Sequence, residues 1–163
     1  MIKVLKIEQV SGYKNSFYVF FDNDTKLRCF TKNILEFKLN KDTVMSEEQY
    51  EKLKNAVSRS NTRERAAKLI SRRQMSEKEL ELRLLEKGEP EEIVKETVAW
   101  LVEIKALDDS DYAENIVKYY AKKGYGRARI KSELYKRHVP RELWDDALEH
   151  MPDCDEAIDR FIR

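Results

Sequence analysis

Glycine and proline are scarce in this chain, four and three among 163 residues, which argues against long disordered linkers, since such segments are rich in both. Cysteine is scarcer still. Only Cys29 and Cys154 are present, so no disulfide framework can carry the fold, and a reducing compartment is the simplest setting. No apolar run approaches the roughly 20 residues needed to cross a bilayer, and no membrane contact is expected. The opening Met1 to Val10 alternates lysines with apolar residues; it lacks the continuous apolar core of a signal peptide, and a cytoplasmic location is expected. Nor does one sign of charge dominate: 32 Lys and Arg face 31 Asp and Glu, for a net charge of +1. What the chain does have is charge itself, 39% of residues, as expected of a soluble, helix-rich protein.

The strongest pattern is an internal repeat. Residues 76–98 and 126–148 align without a gap: Ser76 falls on Gly126, Leu80 on Ile130, Leu84 on Leu134, Lys87 on Arg137, Pro90 on Pro140, Ile93 on Leu143 and Val98 on Leu148. A period near 50 residues is too long for one hairpin and suits a three-helix unit that packs against its neighbour. In such an array the surface matters more than any pocket, which favours binding over catalysis.

The first 45 residues read differently. Alternation at Ile2, Val4 and Ile7, the run Phe17 to Phe21, and Leu27 with Cys29 are strand periodicities, and the polar clusters Ser11–Ser16 and Asp22–Lys26 supply turns. They predict a small antiparallel meander of about three strands. The row Phe17, Tyr18, Phe20, Phe21 and Phe30 has the composition of a base-stacking platform, but half of it must be core, and packing is the reading taken. A short helix is expected over Asn33–Leu39. Ser46-Glu47-Glu48-Gln49 is a capping box that opens a helix to about Val57.

From Thr62 the period is helical. Ser76-Glu77-Lys78-Glu79 is a second capping box, Gly88 marks a stop, and Pro90 is placed as the first residue of a helix that buries Ile93, Val94, Val98, Leu101 and Ile104. Asp108, Asp109 and Ser110 are each able to cap the next helix, whose inner stripe is Tyr112, Ala113, Ile116, Val117 and Tyr120. Gly124-Tyr125-Gly126 ends it.

Charge is segregated along the chain. Lys118, Lys122, Lys123, Arg127, Arg129, Lys131, Lys136, Arg137 and Arg141 face one acid, Glu133, a local net charge of +8. Arg59, Arg63, Arg65, Lys68, Arg72 and Arg73 against Glu64 give +5, whereas Glu77 to Asp111 is acidic. A charge-rich helix is often no more than solvated, yet Arg72 and Arg73 fall on Lys122 and Lys123 at the same offset of fifty. Candidate binding residues are therefore Arg72, Arg73, Lys122, Lys123, Arg127, Arg129, Lys131, Lys136 and Arg137. Enzymatic signatures are missing. Asp108 and Asp109 read as helix caps rather than paired catalytic acids, and His138 and His150 have no companion at zinc-ligand spacing. Gly124-Tyr125-Gly126 lacks the rest of a phosphate-binding fingerprint. No catalytic residue, cofactor or metal is expected.

The stretches Ala67-Lys-Leu-Ile-Ser-Arg-Arg-Gln-Met-Ser-Glu-Lys-Glu-Leu, Leu107-Asp-Asp-Ser-Asp-Tyr-Ala and Lys123-Gly-Tyr-Gly-Arg-Ala-Arg-Ile-Lys-Ser-Glu-Leu together resemble the RecX family of bacterial recombination regulators. The resemblance runs from about Thr62 to Met151. It implies tandem three-helix repeats that lie in the groove of the RecA nucleoprotein filament and restrain ATP hydrolysis, strand exchange and stimulated repressor cleavage. Two features depart from the family pattern. Arg137-His138-Val139 stands where a Lys-Gly pair is usual, so a local difference in that turn is expected. Of the usual third repeat only Glu156–Arg163, aligned with Arg65–Arg72, is present, and that helix is expected to expose Ile158, Phe161 or Ile162.

The expected fold is thus mainly α, tandem three-helix repeats after a small antiparallel β-rich region. The divisions are 1–57 for that region, 58–106 and 107–151 for the repeats, and 152–163 for the start of a third. The expected partner is the RecA filament, met by a monomer, with DNA touched through the filament or weakly alone. A second reading is sequence-nonspecific DNA binding through the same cations. A third, a helical scaffold for another protein, would place affinity on apolar groove residues instead.

Overall fold

In the computed structural model residues 1–149 and Met151 are described; His150 and residues 152–163, with Cys154 and the expected third-repeat opening, lie outside. The chain is mainly helical and divides between Glu64 and Arg65. Its first unit is a four-stranded antiparallel sheet, β1 (Ile2–Gln9), β2 (Ser16–Phe21), β3 (Lys26–Phe30) and β4 (Val44–Met45), in the order β3-β2-β1-β4. A short helix, α1 (Thr31–Glu36), follows β3.

The sheet is sorted by its pleat. Val4 pairs with Phe21 and Ile7 with Val19, with an irregularity between Val4 and Lys6 that keeps apolar side chains on one face although they are three positions apart. Val4, Val19, Phe21 and Cys29 on that face are at most 1% exposed. Tyr50, Leu53 and Val57 of the following helix join them in one core, Phe21 meeting Tyr50 edge-on at 5.1 Å. Burial pushes the Cys29 thiol up to about 12, which keeps it an inert packing residue.

The helix opened by Ser46 has the expected capping box: the Gln49 amide donates to Ser46 Oγ at 3.1 Å and the Ser46 amide to Gln49 Oε1 at 2.9 Å. It does not stop at Val57. This helix, α2, runs Glu47–Arg72, because no glycine or proline interrupts residues 58–72 and the hydrogen-bond ladder continues while the apolar stripe changes partners. Ala66 and Leu69 belong to the core of the first repeat.

That repeat is completed by α3 (Glu77–Glu86) and α4 (Glu91–Glu103), and the second consists of α5 (Asp109–Lys122), α6 (Arg127–Lys136), a 3-10 turn at Arg141–Leu143 and α7 (Trp144–Leu148). Each has its own core, Leu80, Leu84, Val94 and Leu101 in one and Val117, Ile130, Leu134 and Leu148 in the other. Pro90 sits one position earlier than expected, as N-cap rather than first helical residue, with φ −61° and ψ 134°; Pro140 matches it at −57° and 136°. Ile104 is not core. It is the C-cap of α4 and 53% exposed, since the helix ends before that turn can face inward.

The turn expected to differ at Arg137-His138-Val139 keeps the first repeat's form. Gly88 has φ +87° and His138 has φ +57°. The Glu89 amide reaches Leu84 O at 3.2 Å and the Val139 amide reaches Leu134 O at 3.1 Å, the same left-handed helix stop. Histidine meets the steric cost of that conformation where glycine escapes it. Holding a side chain there costs about 1–2 kcal/mol, partly offset by glycine's greater entropy when unfolded. His138→Gly is therefore expected to stabilise by about 0.5 kcal/mol. Gly88→Ala is expected to destabilise by about 1 kcal/mol, although nothing lies within 4 Å of the added Cβ. Urea denaturation of the two variants should give shifts of opposite sign.

Candidate functional site

The two repeats meet through polar contacts that start at the cap of α3. Ser76 Oγ accepts the Glu79 amide at 3.1 Å and donates to the carbonyl of Arg137 at 2.6 Å. One buried hydroxyl thus caps a helix in one repeat and ties down the end of α6 in the other. Of the expected caps, Asp108 holds α5, accepting the Asp111 amide at 3.1 Å. Asp109 turns instead to the first repeat, where Oδ1 accepts the Glu77 amide at 2.9 Å. Gln74 Nε2 donates to Asp111 at 3.2 Å, and Asn115 Nδ2 to Gln74 Oε1 at 2.9 Å.

Asp109 is 7% exposed. Burial raises its carboxyl above the ordinary range; burial and then the Asp109 charge raise Glu77. Each acid holds its proton more tightly folded than unfolded, so this pair lowers stability as pH rises from the ordinary carboxylate range through the folded values. Asp109→Asn keeps the acceptor oxygen and removes the charge; it is expected to flatten that dependence in urea melts across mildly acidic pH. Asp109→Ala strands the Glu77 amide and should cost about 1–3 kcal/mol.

Beside this junction lies a groove of about 350 Å³ lined by Arg73, Gln74, Tyr112, Asn115, Tyr119, Tyr120 and Arg137, with Ile116. Its two arginines are tied into the fold. Arg73 pairs with Glu79 at 2.9 Å and lies 3.5 Å from the Tyr112 hydroxyl. Arg137 pairs with Glu133 and donates to the Tyr120 hydroxyl at 2.7 Å. Burial works against both charges, yet the carboxylates hold both guanidiniums above their ordinary values. Burial, then Glu79, pushes Tyr112 up to about 12. These groups line the groove and are each held by a partner within the fold.

The other candidates separate by partner. Lys136 sits 3.7 Å from Glu133. Lys123 Nζ stands 4.5 Å above the Tyr119 ring, and the Arg129 guanidinium lies 4.0 Å from the Tyr125 ring. Arg72, Lys122, Arg127 and Lys131 are exposed and make no ion pair among the described residues. The structure therefore gathers Lys122, Lys123, Arg127 and Arg129 around the α5–α6 turn, where Gly124, at φ +87°, reverses the chain.

Sequence reading missed the rings. Tyr119 and Tyr120 meet edge to face at 5.0 Å, and Tyr120 and Tyr125 stack at 5.1 Å. The signal was present as tyrosines interleaved with lysines and arginines over 118–129, a composition that suits phosphate and planar groups alike. With one acid, Glu133, among residues 118–141, the four cations give this turn a positive field of the kind that attracts anionic groups.

Comparison with known proteins agrees with this architecture. Residues 63–101 match the family described as RecX, first three-helix domain, and residues 108–148 its second three-helix domain. The regulatory protein RecX of Caldanaerobacter subterraneus subsp. tengcongensis is 29% identical over 147 residues, covering 90% of this chain and 73% of that one. That of Pseudomonas syringae pv. tomato is 38% identical over 86 residues, 53% of this chain and 56% of the relative. The Clostridium perfringens protein is 26% identical over 161 residues, 99% of this chain and 76% of its own. A crystal structure of regulatory protein RecX, 22% identical, has the same fold with a TM-score of 0.74 over 98% of this chain and 80% of that one. With both repeat domains matched in order, and with relatives aligned along the β-rich start as well, the chain belongs to the RecX family of regulatory proteins.

Proposed function

We infer that this protein binds the RecA nucleoprotein filament and inhibits its ATPase, strand-exchange and coprotease activities. The observation that carries the reading is the four-cation cluster on the α5–α6 turn of the second repeat. It stands on tandem repeats whose family is named for regulation, and it is exposed while the arginines behind it are locked in ion pairs. Alternating acidic stretches, such as Glu77 to Asp111, set register on a partner that presents phosphates and carboxylates at intervals, and limit indiscriminate binding. The chain acts by occupying the filament rather than by chemistry of its own. No helix among the described residues is long and apolar enough to cross a membrane, and the proposed site of action is the cytoplasm.

Pull-down and filter-binding assays with RecA, with DNA, and with both test the reading. Retention that requires the assembled filament supports it; equal retention on DNA alone would favour the runner-up, sequence-nonspecific DNA binding through the same cations. ATP hydrolysis that tracks with the purified chain through successive columns, without RecA, would overturn it.

A further inference from the structure

The outer face of the N-terminal sheet is neither core nor part of the repeats. The pleat sends Tyr18 and Phe20 of β2 to the side opposite Val19 and Phe21. Phe20 is flanked across the strands by Lys6 and Lys26, and Tyr18 by Glu8 and Arg28. Lys6 Nζ stands 4.6 Å from the Phe20 ring, Lys26 Nζ 4.6 Å from the Tyr18 ring, and the Arg28 guanidinium 5.1 Å from Tyr13. Beside Phe20 the face sinks into a depression of about 520 Å³ bounded by Leu5, Lys6, Phe20, Asp24 and Lys26, with Phe21 and Thr25. The aromatic row expected as packing is thus divided: Phe21 is core at 1% exposure, while Tyr18 and Phe20 remain half-buried under long lysine side chains.

We propose that this face is a stacking platform for single-stranded nucleic acid, with Phe20 and Tyr18 holding bases and Lys6, Lys26 and Arg28 holding phosphates. A lysine over an exposed ring is a weak contact. It can swing to a phosphate and free the ring for a base, an exchange that gains because base stacking on an aromatic face is the stronger interaction. Among the acids near the face, Glu8 is paired with Lys6 at 3.0 Å and Asp24 borders the depression, which leaves Lys26 and Arg28 as cations with no ion pair among the described residues. The ring spacing selects the strand state. Centroids 6.5 Å apart are nearly twice the ~3.4 Å base spacing along a duplex strand, so each ring takes a base only when the bases are splayed, as they are in single strands.

The inference is independent of the filament reading and is tested without RecA. The full chain is titrated with a short oligothymidylate, an abasic oligomer of equal length, and a duplex. The expected order is oligothymidylate tightest. Tyr18→Leu with Phe20→Leu, which keeps apolar bulk on the strand, should reduce oligothymidylate affinity about tenfold or more and leave abasic binding unchanged. Replacing Lys122, Lys123, Arg127 and Arg129 by alanine should weaken both oligomers alike. Equal wild-type affinity for thymidylate and abasic oligomers, or a folded leucine pair that binds thymidylate like wild type, would overturn the platform. Photocross-linking of an oligothymidylate in which 5-bromouracil replaces one thymine, to the wild-type chain, gives a second readout that no variant can confound. Adducts on β2 are expected; adducts confined to residues 109–137 would refute the assignment.

Discussion

Leu84→Ala and Leu134→Ala are each expected to destabilise the protein by about 2–5 kcal/mol. Both leucines are 0% exposed, and they occupy equivalent places in different cores. The loss has two parts, apolar surface no longer withdrawn from water and a cavity the neighbours only partly fill. Leu84 is surrounded by Leu80, Val94, Val98 and Leu101, and Leu134 by Ile130, Val117, Val139 and Leu148. Around Leu84, α3 is held at its start by the Ser76 capping box and at its end by the Gly88 stop, which restricts collapse into the cavity. Because the clusters are separate, the two costs should add. A sum of about 4–10 kcal/mol approaches the whole stability of an ordinary domain, so the double variant should be largely unfolded without denaturant. Urea melts followed by circular dichroism check this. Costs below about 0.5 kcal/mol at both sites would mean that the faces of α3 and α6 are misassigned.

These leucines could be located from sequence alone because the signals around them are local. Ser76 with Glu79 and Gly88 involve chemistry that acts within a turn, and the structure shows both in place; the fifty-residue offset then aligns Leu134 with Leu84. Signals that depend on distant partners were not legible. β4 is two residues long, Val44 and Met45, and exists only because Lys3 and Ile2 pair with it; no periodicity marks so short a segment. Asp109 reads as a cap because aspartate at a helix start usually is one. That it leaves this role to Asp108 and reaches Glu77 depends on how the repeats pack. Arg73 and Arg137 counted as surface charge in the sequence, and only their pairing with Glu79 and Glu133 shows that they hold the groove. His138 shows the opposite limit: the family's usual residue there suggested a changed turn, but the fold imposes φ +57° on histidine anyway, since about 1 kcal/mol of local strain is small against the surrounding core.

Replacing Lys122, Lys123, Arg127 and Arg129 together by alanine is expected to leave helical content intact and to weaken inhibition of single-stranded-DNA-dependent RecA ATPase strongly. All four are exposed, and none makes an ion pair among the described residues. Within the fold the substitutions remove the contacts of Lys123 with the Tyr119 ring and of Arg129 with the Tyr125 ring, which are weak at exposed sites. Alanine is also the best helix former, which offsets part of that cost. A binding defect in this variant therefore reports the missing cations rather than a disturbed fold. If the cations meet phosphates, each phosphate pairing removed lowers the slope of log K against log salt by roughly 0.7–0.9, or about 3 for four pairings. If they meet RecA carboxylates instead, affinity falls while the salt slope changes less, since fewer condensed counterions are released. Arg72→Ala is the first-repeat comparison and should weaken inhibition less, because its neighbour Arg73 is already held by Glu79 and the first repeat offers a smaller unpaired patch. Arg73 and Arg137 are poor choices for such a test: truncating either strands a carboxylate and mixes a stability defect into the binding signal. A folded quadruple variant that inhibits at wild-type concentrations at every salt would refute the electrostatic mechanism. Recognition would then rest on the acidic run of the first repeat or on the tyrosines that line the groove, which the four substitutions leave in place.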